Sequence, residues 1–388
     1  ASDGATATIA PGQIFTATVK DMIADGRGVA VHPSGRMMFV TGAWVGEQGE
    51  FRITQLKNRV GFADLFKLLS PSPDRVMPPC PYHGTGSLTC GGCTWQFVRY
   101  EAQLAFKQQR IIAALQRLGI KVEVQSIWPS TNVFGYRQRA QFKTDGKILG
   151  FVANQSNHIV SVAHCAILSD KNNQSLQALT SQLPNQHWLP PKNVNWTTVD
   201  IDEDHDVAKV SVNQRLPFLQ ANRAQNEKMR HWLCDRLAPL DKSATVIELF
   251  CGSGNFTEVI AHHQFREVIA IDGGAEAIEQ LMNKSLSGVT ARRQNLFVES
   301  VLQDVFEQAS EAQILVLDPP RDGLKVTTGL FNKKSRLKEI FYISCDLATL
   351  CRDIKLFTDN RYRVAEVQPL DMLPHTPHIE LLVHLTRK

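Results

Sequence analysis

The chain has 388 residues, of which 43% are hydrophobic and 21% charged, and its net charge is +4. That length exceeds one ordinary core and calls for two or three domains, while the composition excludes a disordered, collagenous or membrane-embedded chain. The opening ASDGATATIA has neither the basic flank nor the apolar centre of a signal peptide, and no apolar run is long enough to span a membrane. A cytoplasmic protein is expected.

Residues 1–12 read as a flexible N-terminus. From Gln13 to about Leu69 short β-rich runs (IFTATV, GVAVH, RMMFVTG, EFRITQL) alternate with breaks at ADGRG and HPSGR. This pattern predicts a small five-stranded barrel. The stretch LLSPSPDRVMPPCP carries four prolines before Cys80 and one after it, a stiff extended connection and a domain boundary.

Next comes CPYHGTGSLTCGGCTW, with Cys80, Cys90 and Cys93. The CGGC pair puts two sulfurs on one tight turn, because glycine tolerates backbone shapes that side chains forbid. A disulfide is disfavoured in a cytosolic protein, which leaves zinc, an iron–sulfur cluster or a redox pair. Spacing alone favours zinc slightly. No fourth cysteine is local: Cys165 in VAHCAIL is distant, and His83 or His164 could serve zinc. By itself Cys165 reads as a buried core thiol.

In VRYEAQLAFKQQRIIAALQRLGI, Leu104, Ile111, Ile112, Leu115 and Leu118 recur at helical spacing up to Gly119. Over residues 99–147 nine basic side chains (Arg99, Lys107, Arg110, Arg117, Lys121, Arg137, Arg139, Lys143, Lys147) face only Glu101, Glu123 and Asp145. Such a surplus suits an RNA backbone, with a solvated helix face as the plainer reading. Residues 134–217 read as strands and turns, with DIDEDHD a solvated turn rather than a metal site, since its acids lack ordered ligand spacing.

From Pro217 onward, strands and helices alternate, which argues for a parallel, doubly wound α/β sheet with its chemistry at the strand ends. ELFCGSGNF (248–256) runs from strand through a glycine-rich loop to a helix start. Asp272 closes the next strand, where a carboxylate can bind ribose hydroxyls. That pair suits NAD and S-adenosylmethionine equally. VLDPPRDG (316–323) resembles the loop of nucleic-acid methyltransferases, and its prolines fix a rigid rim beside the cofactor. In YISCDLATLCRD, Cys345 follows an apolar strand and precedes a helix, whose N-terminal dipoles favour a reactive thiolate. Cys234, Cys251 and Cys351 read as packing. LDMLPHTPHIELLVHL offers Glu380 as a base, with His375 and His378 nearby.

Taken in order, CGGC, FGYRQRAQFK, FLQAN, ELFCGSGNFT, LDPPR, ISCDLATLCRD and DMLPHTPHIE resemble the TRAM-domain, iron–sulfur RNA uracil-5-methyltransferases of the 23S ribosomal RNA type, over nearly the whole chain. The resemblance implies an oligonucleotide-binding-like TRAM barrel over 13–72 and a central iron–sulfur α+β domain over 73–96 and 128–216. A Rossmann-like class I methyltransferase domain would occupy 97–127 and 217–388, the helix near 97–120 packing on it. It implies that Cys80, Cys90, Cys93 and Cys165 hold a four-iron four-sulfur cluster, overriding the preference for zinc. It also implies S-adenosylmethionine contacts from Gln220, Phe250, Asn255, Asp272, Asn295 and Asp318.

By the same resemblance Cys345 is the nucleophile and Glu380 the base. A thiolate adding at uracil carbon 6 makes carbon 5 nucleophilic toward a sulfonium methyl, and the carbon-5 proton must then be removed. The partner is RNA, with Arg137 and Arg139 on its backbone and an unpaired target uridine, since the base must leave its stack. A monomer without membrane contact is expected. Two departures stand out: Asp346 where the family has Asn, a carboxylate that would raise the thiol pKa, and a longer gap between Cys80 and Cys90. Competing readings are a T-loop transfer RNA enzyme, an exocyclic amino-methyltransferase, an RNA-binding protein that has lost catalysis and an NAD-dependent oxidoreductase. The second would not need Cys345, and the DPP loop disfavours the last.

Overall fold

The N-terminal alternation folds into six strands rather than five: β1 (Ile14–Thr18), β2 (Asp21–Met22), β3 (Gly28–Val31), β4 (Met37–Thr41), β5 (Gln48–Lys57) and β6 (Val60–Ser70). They form one sheet in the order β1-β5-β6-β4-β3-β2, with only β4 and β6 parallel. The missed strand, β2, has two residues, too short for any periodicity to register. Inward residues Met38, Val40, Phe51, Ile53 and Ala63 are buried, and three register shifts between β5 and β6 bend these long strands. The proline-rich connection is anchored: Arg75 donates to both carboxylate oxygens of buried Glu47, at 2.6 and 2.7 Å.

This computed structural model describes residues 9–154 and 156–388. The N-terminal segment expected to be flexible therefore lies outside the described residues except for 9–12, and there Gly12 already donates to the Ile53 carbonyl at 2.7 Å. The described residues divide into two units. One comprises 9–103, 132–216 and 374–377; the other comprises 104–131, 217–373 and 378–388. The chain crosses between them near 103, 131 and 216. The short return at 374–377 was not anticipated.

Helix α1 (Tyr100–Arg117) follows the cysteine region and belongs to the second unit from residue 104 onward. The rest of the first unit adds β7 (Arg139–Thr144), β8 (Leu149–Val152), β9 (Ile159–Ser161), α2 (Asp170–Thr180) and β10 (Thr197–Asp202). These four strands form an antiparallel sheet in the order β10-β7-β8-β9, and Leu176 and Leu179 of α2 join Phe142, Leu149, Val199 and Ile201 in its core. Ser169 caps α2, its side chain accepting from Asn172 N–H. DIDEDHD is half strand rather than wholly a turn, because Asp200, Ile201 and Asp202 end β10.

The second unit alternates as predicted: α3 (Arg223–Leu237), β11 (Thr245–Leu249), α4 (Thr257–His262), β12 (Glu267–Asp272), α5 (Ala275–Asn283), β13 (Val289–Arg293), α6 (Glu299–Gln308), β14 (Ile314–Leu317), β15 (Glu339–Ser344), α7 (Leu347–Asp359), β16 (Tyr362–Leu370) and β17 (Glu380–Arg387). The sheet order is β13-β12-β11-β14-β15-β17-β16, parallel through β15 and antiparallel at β17 and β16. The runs TVIEL and ILVL are buried at every position, as strands covered on both faces must be. On one face Ile111 and Leu115 of α1 pack with Leu302, Val305, Ile354 and Phe357; Met229, Trp232, Leu233, Val259 and Ile260 of α3 and α4 join the other core. Each such side chain contributes about 1.5–3 kcal/mol of burial. The strand order reverses between β11 and β14, the switch point beyond whose carboxyl ends sheets of this kind bind ligands. No helix among the described residues is long and apolar enough to cross a membrane.

Candidate active site

At the end of β11 the chain turns sharply: Phe250 has φ 63°, Gly252 φ 54° and Gly254 φ 99°. Gly254 is required twice over, by its backbone and because a Cβ there would lie 2.6 Å from Leu281 Cδ1. The Asp272 carboxylate at the end of β12 fixes the loop, one oxygen accepting from Gly252 N–H at 3.0 Å and the other from Gly274 N–H at 2.7 Å. Asp318, just past β14, donates its N–H to the Leu249 carbonyl at 3.3 Å. Beneath the loop lies Glu248, which sequence reasoning quoted within the motif without giving it a role. It is 1% exposed and accepts from Thr257 Oγ1 at 2.6 Å.

These acids share one neighbourhood. Burial, then Asp318 and Asp272, pushes Glu248 up to about 8; burial and then Asp272 pushes Asp318 up to about 7. Carboxyl groups thus cluster where three strand ends converge, and their neighbours oppose the ionisation of Glu248 and Asp318.

Cys345 and Glu380 meet through sheet register. Antiparallel pairing of β15 with β17 brings Ser344 opposite Leu381, so the next position sets Cys345 beside Glu380. Glu380 also pairs with Leu370 at the end of β16. Burial, followed by the Glu380 and Asp318 carboxylates, pushes the Cys345 thiol up to about 11, with Arg321 pulling it down. Glu380 itself rises to about 8 through burial and then Asp318, again opposed by Arg321. Burial and the neighbouring carboxylates thus oppose the thiolate that the helix terminus was expected to favour. Asp346 is not the cause. Its carboxylate caps α7, accepting from Thr349 N–H at 2.8 Å. Helix α7 also holds the DPPRDG loop, as Thr349 Oγ1 donates to the Arg321 carbonyl at 3.0 Å and Arg352 to that of Asp322 at 2.9 Å. Arg321 was printed in the LDPPR motif, but only the fold reveals its proximity to both groups.

The remaining predicted contacts spread outward. Phe250 packs against exposed Phe297, ring centroids 5.8 Å apart, and half-buried Gln220 lies in the extended segment before α3. Exposed Asn295 uses its side-chain oxygen to accept from Phe297 N–H at 3.0 Å. Asn255 faces α3: its amide and that of Asn226 exchange hydrogen bonds at 2.9 and 3.0 Å, and Arg230 donates to its carbonyl.

In the first unit Cys80, Cys90, Cys93 and Cys165 are free and half-buried. Burial pushes Cys90 up to about 11 and Cys93 up to about 12, and each is raised further by other members of the four. Local spacing could not bring Cys165 to this group; the fold does, with Asn173 gripping its N–H at 2.9 Å and its carbonyl at 3.1 Å. Among the described residues no group of three or more His, Cys, Asp or Glu is arranged to hold a metal ion. Cys251 is a core residue, and Cys234 and Cys351 pack at core margins, as expected.

The basic surplus requires correction. Lys107 is fully buried in an ion pair with Asp371 at 2.7 Å; Arg139 binds Asp200 and the Leu216 carbonyl; Arg99 pairs with Asp74. Their acids lie at 74, 200 and 371, outside the counted window, so local counting overstated the free charge. Arg137 donates to the Arg139 carbonyl at 3.1 Å and lies near the Cys90 and Cys165 thiols, whose pKa values it lowers.

A glycine loop and acidic strand ends on a sheet of this order define a Rossmann-like methyltransferase fold, and a solved structure agrees. A tRNA (uracil-54, C5)-methyltransferase from Pyrococcus abyssi, in complex with S-adenosyl-L-homocysteine, superposes with a TM-score of 0.70 at 21% identity, over 96% of this chain and 99% of that one. Residues 198–283 and 298–388 match the family described as tRNA (uracil-5-)-methyltransferase. An uncharacterized RNA methyltransferase from Nitrosomonas europaea is 41% identical over 95% of both chains. A 23S rRNA (uracil(1939)-C(5))-methyltransferase RlmD from Pectobacterium atrosepticum is 30% identical over 95% of this chain and 93% of its own. The chain belongs to the family of RNA uracil-5-methyltransferases.

Proposed function

We propose that this enzyme methylates carbon 5 of an unpaired uridine in 23S ribosomal RNA with S-adenosylmethionine as donor, Cys345 adding to carbon 6 and Glu380 removing the carbon-5 proton. The observation that carries the reading is the β15–β17 register, which brings a thiol and a carboxyl side by side at a strand end beside Asp318. The donor supplies an electrophilic methyl group. The loop 250–254, open at Gly252 and backed by Asp272, suits its adenosyl moiety, with Gln220, Phe250, Asn255, Asn295 and Asp318 as further contacts.

The chain's own residues perform two proton tasks. Cys345 must lose its proton to attack, and Glu380 must be ionised to take the proton from carbon 5 before the thiol is eliminated. Arg321 favours both charged forms.

Cys80, Cys90, Cys93 and Cys165 would hold a four-iron four-sulfur cluster, which when bound crosslinks segments far apart in sequence. Mutual coupling of the thiols supports this, as does the close turn at Gly91, where a Cβ would meet the Asn154 backbone at 3.0 Å. Each of the four cysteines would supply one thiolate ligand to such a cluster. The six-stranded sheet would serve as an oligonucleotide-binding-like module, in a cytoplasmic monomer.

Ribosomal RNA is favoured by the names of the 30% and 29% identical relatives; transfer RNA is the second reading, on the family description and the Pyrococcus enzyme. Labelled methyl transfer to unmodified 23S ribosomal RNA and transfer RNA, followed by nucleoside analysis, tests both. Labelled 5-methyluridine in the ribosomal RNA is expected. Label confined to transfer RNA selects the second reading, and label in neither overturns both.

A further inference from the structure

The segment FLQAN ends in a residue that the proposed chemistry leaves without a role. Asn222 is 2% exposed and uses every part of its amide. Its oxygen caps α3 by accepting from Gln225 N–H at 3.3 Å, while its nitrogen donates to Ser130 Oγ at 2.8 Å and to the Met372 carbonyl at 3.4 Å. One turn into the helix, the fully buried Gln225 donates to the carbonyls of Asp371 at 2.8 Å and Trp128 at 3.2 Å. Asp371 is held from a third side by the buried Lys107 pair.

These contacts converge on one strand end. Leu370, the last residue of β16, pairs with Glu380, so Asp371 and Met372 immediately follow the backbone beside which Glu380 sits. At the other end of the network, Gln220 lies two residues before Asn222. A helix needs only an oxygen for its cap, and Ser, Thr or Asp would serve. The amide nitrogen is the additional feature, and burying an unmatched donor would cost about 1–3 kcal/mol, so its two acceptors are part of the design.

We infer that Asn222 is a positioning residue that locks the proposed cofactor segment at Gln220 to the end of β16, the strand paired with Glu380, so that donor binding and proton removal share one support. This rests on the base role proposed for Glu380. Asn222→Ser keeps a capping oxygen and loses the reach to Met372. Ser130→Ala removes one acceptor and leaves the cap intact.

The experiment compares both variants with the wild type and with Glu380→Gln. It reads S-adenosylmethionine affinity by calorimetry and the fraction of RNA held in a denaturation-resistant covalent complex during turnover, with thermal melts to match folded protein. Asn222→Ser is expected to weaken donor binding and to raise the trapped fraction, each on the order of tenfold, as small misplacements at reacting centres do. Ser130→Ala moves both in the same direction by less. If Asn222→Ser does not fold, Ser130→Ala decides by the same two readings. A change in one reading alone, or in neither, overturns the inference while Glu380→Gln still traps RNA. Failure of Glu380→Gln to trap RNA overturns the base role and this inference with it.

Discussion

Two sets of half-buried thiols, Cys345 and the four-cysteine group, have surroundings that differ in kind. Cys345 lies among carboxyls, with Glu380 and Asp318 raising its pKa and Arg321 and a backbone hydrogen bond lowering it. Cys90, Cys93 and Cys165 are each raised by other members of the four-cysteine group, and Arg137 lowers the pKa of Cys90 and Cys165. Burial is the largest upward influence in both places. What differs is what would favour the thiolate in each place: a shared cationic centre among the four cysteines, and the Arg321 guanidinium beside Cys345, where carboxylates oppose ionisation. The proposed roles, ligand in one unit and nucleophile in the other, thus go with different neighbours.

The sharpest way to break this contrast is to remove Cys345. Cys345→Ala is expected to abolish methyl transfer by at least about 10³-fold, as loss of a nucleophile does, with S-adenosylmethionine affinity unchanged in a binding titration. Parallel loss of donor binding would mean that the thiol supports the site rather than attacking. Glu380→Gln should lower turnover by roughly 10²–10⁴-fold while RNA accumulates in a complex that survives denaturing electrophoresis. In the wild type Glu380 is protonated below its raised pKa and competent above it. Turnover should therefore rise with pH through about 8, and a rate that is flat from 6 to 9 would count against it.

The four-cysteine side is tested by Cys165→Ser in protein isolated without oxygen. Iron and acid-labile sulfide recovered with the chain should fall to background, and the first unit should melt earlier. Turnover should drop less than in Cys345→Ala because the reacting groups belong to the other unit. Full retention of iron would remove Cys165 from the ligand set.

Much of this contrast was legible in the sequence, and the reasons for the exceptions are physical. Cys345 and Glu380 sit in local motifs, and the alternation of apolar runs announced a sheet whose strand ends would carry them. Pairing Cys165 with a turn over seventy residues earlier needed the family resemblance, because ligand spacing across a fold leaves no local period. The charge count around Arg139 misled for the converse reason, since Asp200 lies on the neighbouring strand β10. Strand β2 was too short to see, and the sign of the Cys345 shift depends on how deeply the thiol is buried, which no motif encodes.

The smallest expected effect concerns Glu248, which extends the acidic environment of Cys345 beneath the glycine loop. Its folded pKa of about 8 lies above the ordinary 4.5, so between those values the folded chain binds a proton that the unfolded chain has released. Stability from this group is therefore fully present below about 4.5 and lost as pH rises toward 8, after which the curve levels. Glu248→Gln carries no titrating proton and can still accept from Thr257. The melting temperature of the wild type should fall across this window more steeply than that of the variant, by a few degrees at most, since Asp318 and Glu380 titrate with the same sign and remain in both. Identical slopes in calorimetric scans at pH 5, 6, 7 and 8 would show that Glu248 stays ionised in the folded protein, leaving the acids around Cys345 as the only carboxyls there that hold their protons into the neutral range.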